Sequence, residues 1–513
     1  LPSLWLIVAL ALFLGGLDQL LTAHRTLDLL DESYLWYGVW RTSLGEVPIR
    51  DFQAYFPLRY YWGGLFVWLF GDGIVAMRCS GIVLKVLMVV VGLLVLRRRI
   101  RAWPVLVGMA LVMMAWAYTF EKAAGYLIGV TAIWLGTRLI EQPSLRRHLV
   151  AGVFVGAAAL VGRNHGVYTL LAFSLLIAFV WWHERKDLGR RAGSFAAGVG
   201  LGFSPLLLMM LALPGYGAAI WTNLLALFNS MAGAGQANLG RAIPWPWRID
   251  YGATNWSMGA ENLIFGVLLV LLAALPLGAA LTLAVRRCPN LRDNAPLYAA
   301  LAVSVAYIHY CYSRADITHL ADAIQPFLVL LVLVPFALAP GPWRRGMAGV
   351  SGVVLLSAFA LILSVHPTAQ RFKHPSGFKQ VEVRGDLLWM KARHAGEIAG
   401  VRAFIDELVQ EGEGVLFAPY RPGMYLITDR KSPLKSIYFL SRKEESDQQM
   451  IAAMRANNVR SALLTINPID GRRDLSFPVL HRELYQFLTR YYRQGDPAVW
   501  GLPRYYQVFR APN

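Results

Sequence analysis

The chain has 513 residues, 56% of them hydrophobic and 16% charged, with a net charge of +18 and a mean hydropathy of +0.45. An ordinary soluble protein carries about 25% charged residues, so this composition excludes one and indicates a polytopic membrane protein. Nor does the positive charge signal nucleic acid, because the basic residues cluster in short links between apolar runs, the distribution that orients membrane proteins. Three cysteines, Cys79, Cys288 and Cys311, lie far apart with no CxxC pair, which indicates neither a disulfide framework nor a zinc site.

A hydrocarbon core about 30 Å thick takes roughly 20 apolar residues per helix. On that measure the chain holds about eleven spans, near 4–22, 75–96, 103–119, 124–140, 148–162, 167–182, 193–213, 261–285, 296–312, 320–339 and 346–364. The first leads straight into an aromatic stretch without a small-residue cleavage site, so it is expected to be a retained helix rather than a signal. The links at 97–101, 146–148, 184–191, 286–292 and 343–345 are rich in Arg and all fall on one side, which is expected to be the cytoplasm. The N-terminus is then cytoplasmic and everything after about Ser364 is outside. The location expected is the bacterial inner (plasma) membrane.

Between the first two spans runs LDESYLWYGVWRTSLGEVPIRDFQAYFPLRYYWGGLFVWLFGD (30–72). Its rings suit a membrane–water interface, so residues 34–70 are expected to form interfacial helices rather than further spans. Asp31 and Glu32 can act as a general base or as metal ligands; equally, they can cap the helix that starts there, where its dipole favours acids. Asp51 has the same two readings, and Arg59 and Tyr60 stand close to it in sequence.

The other outward links also collect polar residues. FEK (120–122) offers Lys122, although solvated loop charges need no special explanation. GRNHG (162–166) puts Arg163, Asn164 and His165 between two apolar runs, where a charge near membrane depth needs a partner or a wet cavity; Arg163 is suited to a phosphate. YSRADITHLAD (312–322) brings Arg314, Asp316, His319 and Asp322 together, either as a site or as a network closing the end of a span. Lys85 in the second span is expected to snorkel or pair internally. The loop 214–261 holds Trp245, Trp247, Tyr251 and Trp256, interfacial anchors or platforms for sugar rings.

From about His366 the charges become frequent. A helix at 397–410, a strand at 414–420, a helix at 445–458, a strand at 459–467, a helix near 481–492 and a strand near 505–509 predict a small α/β domain. The organisation expected is a transmembrane domain over 1–365 and an extracytoplasmic α/β domain over 366–513.

DESYLWYGVWRTSLGEVPIRDFQAYFPLRYYWGGLFVWLFG, GRNHGVY, RADITHL and VLFAPYRPGMYLITDRKSP resemble the GT-C class of membrane glycosyltransferases. The likeness is to the dolichyl-phosphate-mannose-protein mannosyltransferases and aminoarabinose transferases. The resemblance implies a polyprenyl-phosphate sugar donor, a lipid, glycan or protein acceptor, and inversion at the anomeric carbon. It implies Asp31 as the base with Glu32 beside it, and Arg163, Arg314, His319 and Lys122 for the donor phosphate. Asp51, Arg59, Tyr60, His165 and Asp316 are then expected around the substrates. No nucleotide, cofactor or nucleic acid is called for, and a divalent metal is not indicated. GRNHGVY departs from the Arg-His-Asp-like order of relatives, which leaves the roles of Asn164 and His165 open. Composition and topology equally allow a transporter or flippase of a lipid-linked substrate. Against that, the polar residues gather on one face, with no repeated halves or broken helices at the midplane.

Overall fold

Each of the eleven apolar runs forms a helix. The computed structural model describes residues 2–231, 256–285, 291–313, 316–338, 341–439, 444–468 and 473–512. In chain order its helices are α1 (Leu4–Thr22), α2 (Asp31–Ser43), α3 (Leu58–Phe70), α4 (Ile74–Leu96), α5 (Trp103–Trp116), α6 (Ala123–Glu141) and α7 (Leu145–Val161). Next come α8 (Arg163–Glu184), α9 (Leu188–Ala212), α10 (Tyr216–Met231), α11 (Trp256–Val285), α12 (Ala295–Tyr312), α13 (Ile317–Leu338), α14 (Pro342–Val365) and α15 (Pro367–Lys373). The remainder are β1 (Phe378–Val383), β2 (Asp386–Lys391), α16 (Ala392–Leu408), β3 (Gly414–Ala418), α17 (Pro422–Ile427), α18 (Asp447–Ala456), β4 (Val459–Thr465), α19 (Phe477–Leu480), α20 (Arg482–Tyr491), β5 (Arg493–Gly495) and β6 (Tyr506–Arg510). Among the described residues eight helices are long and apolar enough to cross a membrane. The three other predicted spans are the shorter α5, α7 and α12, with 14, 17 and 18 residues.

The chain divides into two compact units, one of residues 1–23, 79–208 and 243–370, the other of 24–78, 209–242 and 371–513. In the first, Leu, Val, Met and aromatic side chains of α4, α5, α6, α8, α12 and α13 make one continuous core. The most apolar stretch of α13 is 83% buried, whereas those of α9 and α14 are only 22% buried, so α13 is central and the other two turn apolar side chains outward. Helices α7 and α9 approach through Gly152 and Gly156 on one, Gly198 and Gly202 on the other. A Cβ at Gly152 would stand 2.1 Å from the Phe195 carbonyl, and one at Gly202 2.1 Å from that of Val153. Small residues four apart on both helices thus allow backbone contact, the usual means by which spans associate without a hydrophobic drive. Lys85 does pair internally, with Nζ 2.9 Å from Asp18 and 4.1 Å above the Phe120 ring.

The second unit holds the α/β elements. Its larger sheet has the order β3-β4-β6-β5, with β3 and β4 parallel and the other pairs antiparallel. The hairpin β1–β2, absent from the sequence reading, turns at Arg384 and Gly385, both with positive φ (48° and 81°), as tight hairpin turns require. Helix α2 is buried from Glu32 to Arg41 at every position but the partly buried Leu35. The Tyr37 hydroxyl accepts from the Ser432 amide at 2.8 Å, and Gln53 Oε1 accepts from the amides of Ile437 and Tyr438. A Cβ at Gly423 would meet Ser33 Oγ at 2.5 Å, so only glycine lets α17 lie this close to α2. Helix α3, by contrast, leaves Leu65, Trp68, Leu69 and Phe70 exposed.

Candidate active site

Asp31 is the first residue of α2 and is exposed. Its Oδ1 accepts a 2.6 Å hydrogen bond from the Tyr420 hydroxyl. Burial, and then the Asp31 charge, push the Tyr420 phenol well above its ordinary pKa, so Tyr420 is protonated and donates. Its ring is held by Tyr438 (centroids 4.7 Å apart) and Tyr34 (6.0 Å). The helix start is organised by Asp28, whose Oδ2 accepts from the amides of Asp31 (3.0 Å) and Glu32 (3.4 Å) and whose Oδ1 accepts from Leu30 (3.0 Å). The amides at the start of α2 are thereby satisfied by Asp28, leaving Asp31 free of the capping task the sequence allowed it.

Glu32 is in a different position. Both of its oxygens face Arg78, which donates Nε to Oε1 and NH2 to Oε2, each at 2.8 Å; Arg25 stands 3.9 Å away. Burial alone would raise this carboxyl, but the charges of Arg78 and Arg25 and the hydrogen bonds from Arg78 outweigh it and hold the pKa below the ordinary value. Neighbours in sequence, Asp31 and Glu32 thus differ in kind: one carboxylate faces out, the other is locked in a bidentate pair.

In the same unit, Asp51 closes a turn. Its Oδ1 and Oδ2 accept from Arg50 at 2.7 and 2.9 Å, and Oδ2 also accepts from the Val47 amide at 2.7 Å. The Arg50 bonds lower its pKa against partial burial. Arg59 is half-buried with its guanidinium 4.9 Å from the Tyr55 ring centroid. Tyr60 is wholly buried, its hydroxyl accepting from the Tyr55 amide at 2.9 Å and its ring lying against Gly38, where a Cβ would clash at 2.3 Å.

Within the first unit, Arg163 opens α8 and is half-buried, with Asn164 exposed. His165 is buried, its Nδ1 3.3 Å from the Tyr307 hydroxyl, and one turn on Tyr168 bonds His309 Nδ1 at 2.9 Å. This His–Tyr ladder between α8 and α12 meets the need for partners that a polar residue among apolar runs creates. Asp316 caps α13, with Oδ1 accepting from the His319 amide at 2.9 Å and facing His319 Nδ1 at 2.8 Å. Lys122 lies 3.9 Å from the buried Asp322. The stretch 214–261, expected as one long loop, is helical at Tyr216–Met231 (α10) and from Trp256 on (α11); Arg314, Trp245, Trp247 and Tyr251, and the side chain of Trp256, lie outside the described residues. Among the described residues no three His, Cys, Asp or Glu side chains are grouped to hold a metal ion.

Tyr420, Asp28 and Arg78 were missed by the sequence reading. Arg78, an arginine at the start of an apolar span, was detectable as a costly charge in need of a partner. Tyr420 carried no such mark, because 389 positions separate it from Asp31.

No family model matches the chain, and no curated protein matches it. Solved structures do. ArnT from Cupriavidus metallidurans bound to undecaprenyl phosphate shares 12% identity over 99% of both chains, with a TM-score of 0.50. Its apo form matches at 12% identity over 99% of this chain and 98% of that one, with a TM-score of 0.47. The archaeal oligosaccharyltransferase AglB from Archaeoglobus fulgidus, in complex with an inhibitory peptide and a dolichol-phosphate, matches at 12% identity over 90% of this chain and 69% of that one, at 0.41. Identity this low speaks for fold alone, and at that level the chain is a polytopic helical membrane protein with a C-terminal α/β region, similar in fold to the ArnT structure.

Proposed function

We propose that this protein transfers a sugar from a polyprenyl phosphate to a hydroxyl of a lipid, glycan or protein acceptor at the extracytoplasmic face of the membrane, with Asp31 as general base. The observation that carries the reading is the asymmetry of the two adjacent carboxylates. Glu32 is neutralised and immobilised by Arg78. Asp31 is exposed, with Oδ1 fixed by Tyr420 and with Oδ2 in no hydrogen bond among the described residues. A base needs one oxygen oriented and the other available to a proton within hydrogen-bond reach.

In the reaction the acceptor oxygen bonds to the anomeric carbon as the bond to the phosphate oxygen breaks. The acceptor proton passes to Asp31, and polyprenyl phosphate leaves with the electron pair. Attack opposite the phosphate inverts the configuration. Arg163, Lys122, His319 and Arg314 are assigned to the charge that develops on the departing phosphate, the role in which fixed cations act most strongly. Glu32 serves as the anchor that holds the start of α2. Asp51, Arg59, Tyr60, His165 and Asp316 remain assigned to the substrates' surroundings, Tyr60 and His165 by shaping the protein from buried positions. The bound undecaprenyl phosphate of the ArnT structure supports a polyprenyl phosphate as the carrier.

Purified protein incubated with a panel of polyprenyl-phosphate sugars and membrane acceptors tests this. Glycosylated acceptor formed together with free polyprenyl phosphate is the expected result. Movement of intact donor across a vesicle membrane, with no polyprenyl phosphate released, would mark a carrier instead.

A further inference from the structure

The described part of the first unit contains a crevice of about 860 Å³ between α8, α11 and α12. Leu175, Phe179 and Trp182 form one wall, Leu283 lies on the other, and Leu301 and Val305 of α12 line the floor. On α8 and α12 these residues recur at helical spacing, so each helix turns one apolar stripe into the same space. The volume is in the range of a site for a sizeable ligand, and the lining is mostly apolar, with His183 and Tyr298 as its polar members.

The crevice lies toward the ends of the three helices that lead into Arg-rich links. Arg185 follows α8 directly and adopts a left-handed backbone conformation (φ 55°), which brings its guanidinium 4.1 Å from the Trp182 ring centroid and 5.1 Å from that of Trp181. Trp182 lines the crevice and is 62% exposed. His183, also in the lining, gives Nδ1 to the Phe179 carbonyl at 2.9 Å, which fixes the ring and leaves Nε2 as its open polar atom. Arg185, Lys186 and Arg190 enter no ion pair among the described residues. An apolar slot therefore ends at a stacked cation, an imidazole and further unneutralised positive charge.

We propose that this crevice binds a membrane phospholipid with an anionic headgroup, acyl chains along α8 and α12 and headgroup at Trp182, His183 and Arg185. Basic pockets between spanning helices on the cytoplasmic side take such lipids, and Arg-rich links mark that side. The occupant is a structural phospholipid rather than the polyprenyl donor. Arg163 and His183 are 20 residues apart on α8, about 30 Å of helix, so the crevice mouth and Arg163, assigned to the donor phosphate, occupy opposite ends of one span. The site is thus additional to the proposed transfer reaction and does not depend on it.

Native mass spectrometry of the full chain, purified in detergent and exposed to equimolar phosphatidylglycerol and phosphatidylethanolamine, tests the proposal. The expected result is about one retained phosphatidylglycerol per chain, preferred at least about tenfold, a difference near 1.4 kcal/mol. Ala302→Trp, at a lining residue of α12 beside Leu301, fills the floor and should abolish retention; Val305→Phe is the milder replacement should that variant fail to fold. Arg185→Ala should keep a lipid but lose the preference. Equal retention of both phospholipids, undiminished retention in a folded filling variant, or no retained lipid would each overturn it.

Discussion

Replacing Arg78 by Met isolates the contact that anchors the start of α2. Arg78 is wholly buried, spends two of its donors on Glu32 at 2.8 Å and gives a third to the Arg25 carbonyl at 3.0 Å. Without it, a carboxylate only 1% exposed keeps Arg25, 3.9 Å away, as its nearest cation. Removing one member of a buried pair costs about 3–5 kcal/mol because the other charge is stranded, and the remaining Arg25 places the expected loss toward the lower end. The double variant Arg78→Met with Glu32→Leu removes both charges and should recover at least about 2 kcal/mol of that loss, since a buried pair and an apolar pair of similar volume are often close in free energy. Denaturant titration of the detergent-solubilised protein measures all three. The sign with pH is fixed too. The Glu32 pKa is lowered on folding, so its stabilisation is full above the unfolded-state value near 4.3 and is lost as pH falls through the folded value. The double variant should lack this acid-side loss. An Arg78→Met cost below about 1 kcal/mol, or a double variant as unstable as the two single losses summed, would refute the reasoning.

Tyr420→Phe should leave the fold intact and lower kcat by about 10- to 100-fold, the loss of a hydrogen bond to a charged group being about 1.5–3 kcal/mol. An unchanged kcat would show that this bond does not position Asp31, and a change confined to the donor KM would assign Tyr420 to binding instead. Gly152→Leu should destabilise the contact of α7 with α9 by at least about 1–3 kcal/mol, because even a Cβ there meets backbone at 2.1 Å. Gly200→Ala on α9 should cost nothing and stabilise slightly, since a Cβ there meets nothing within 4 Å and alanine favours a helix interior over glycine; thermal midpoints in detergent compare the two. Lys85→Met should destabilise by stranding Asp18, and Asp18→Asn in the same chain should restore most of the loss, read by the same midpoints.

The helical architecture was legible because apolar run length is dictated by membrane thickness. Every predicted span is a helix, and the six elements predicted after residue 392 correspond to α16, β3, α18, β4, α20 and β6, while the short α17, α19 and β5 were not foreseen. The β1–β2 hairpin was missed because its strands carry charged residues on their exposed face, FKQVEV and DLLWMK, and its turn lacks the usual Asn-Gly or Asp-Gly signal. Helix α2 was expected at an interface from its many rings, but most of them pack inside the second unit, where Trp36, Tyr37 and Trp40 join one core with Met424 and Tyr425. Composition cannot separate a ring that wants an interface from one that fills a core. For the site, sequence alone could not rank Asp31 against Glu32, since adjacency makes them equivalent on paper. What separates them comes from Arg78, Asp28 and Tyr420, and two of those contacts join positions 46 and 389 residues apart. The capping role of Asp316 for His319 was readable from their spacing of three.

The role of Asp31 is tested most directly by turnover of the purified Asp31→Asn protein, followed as polyprenyl phosphate released with glycosylated acceptor. The account predicts a fall of about 10²- to 10⁴-fold, the usual contribution of a positioned base, with the unfolding midpoint unchanged. Turnover equal to that of the unaltered protein would contradict it.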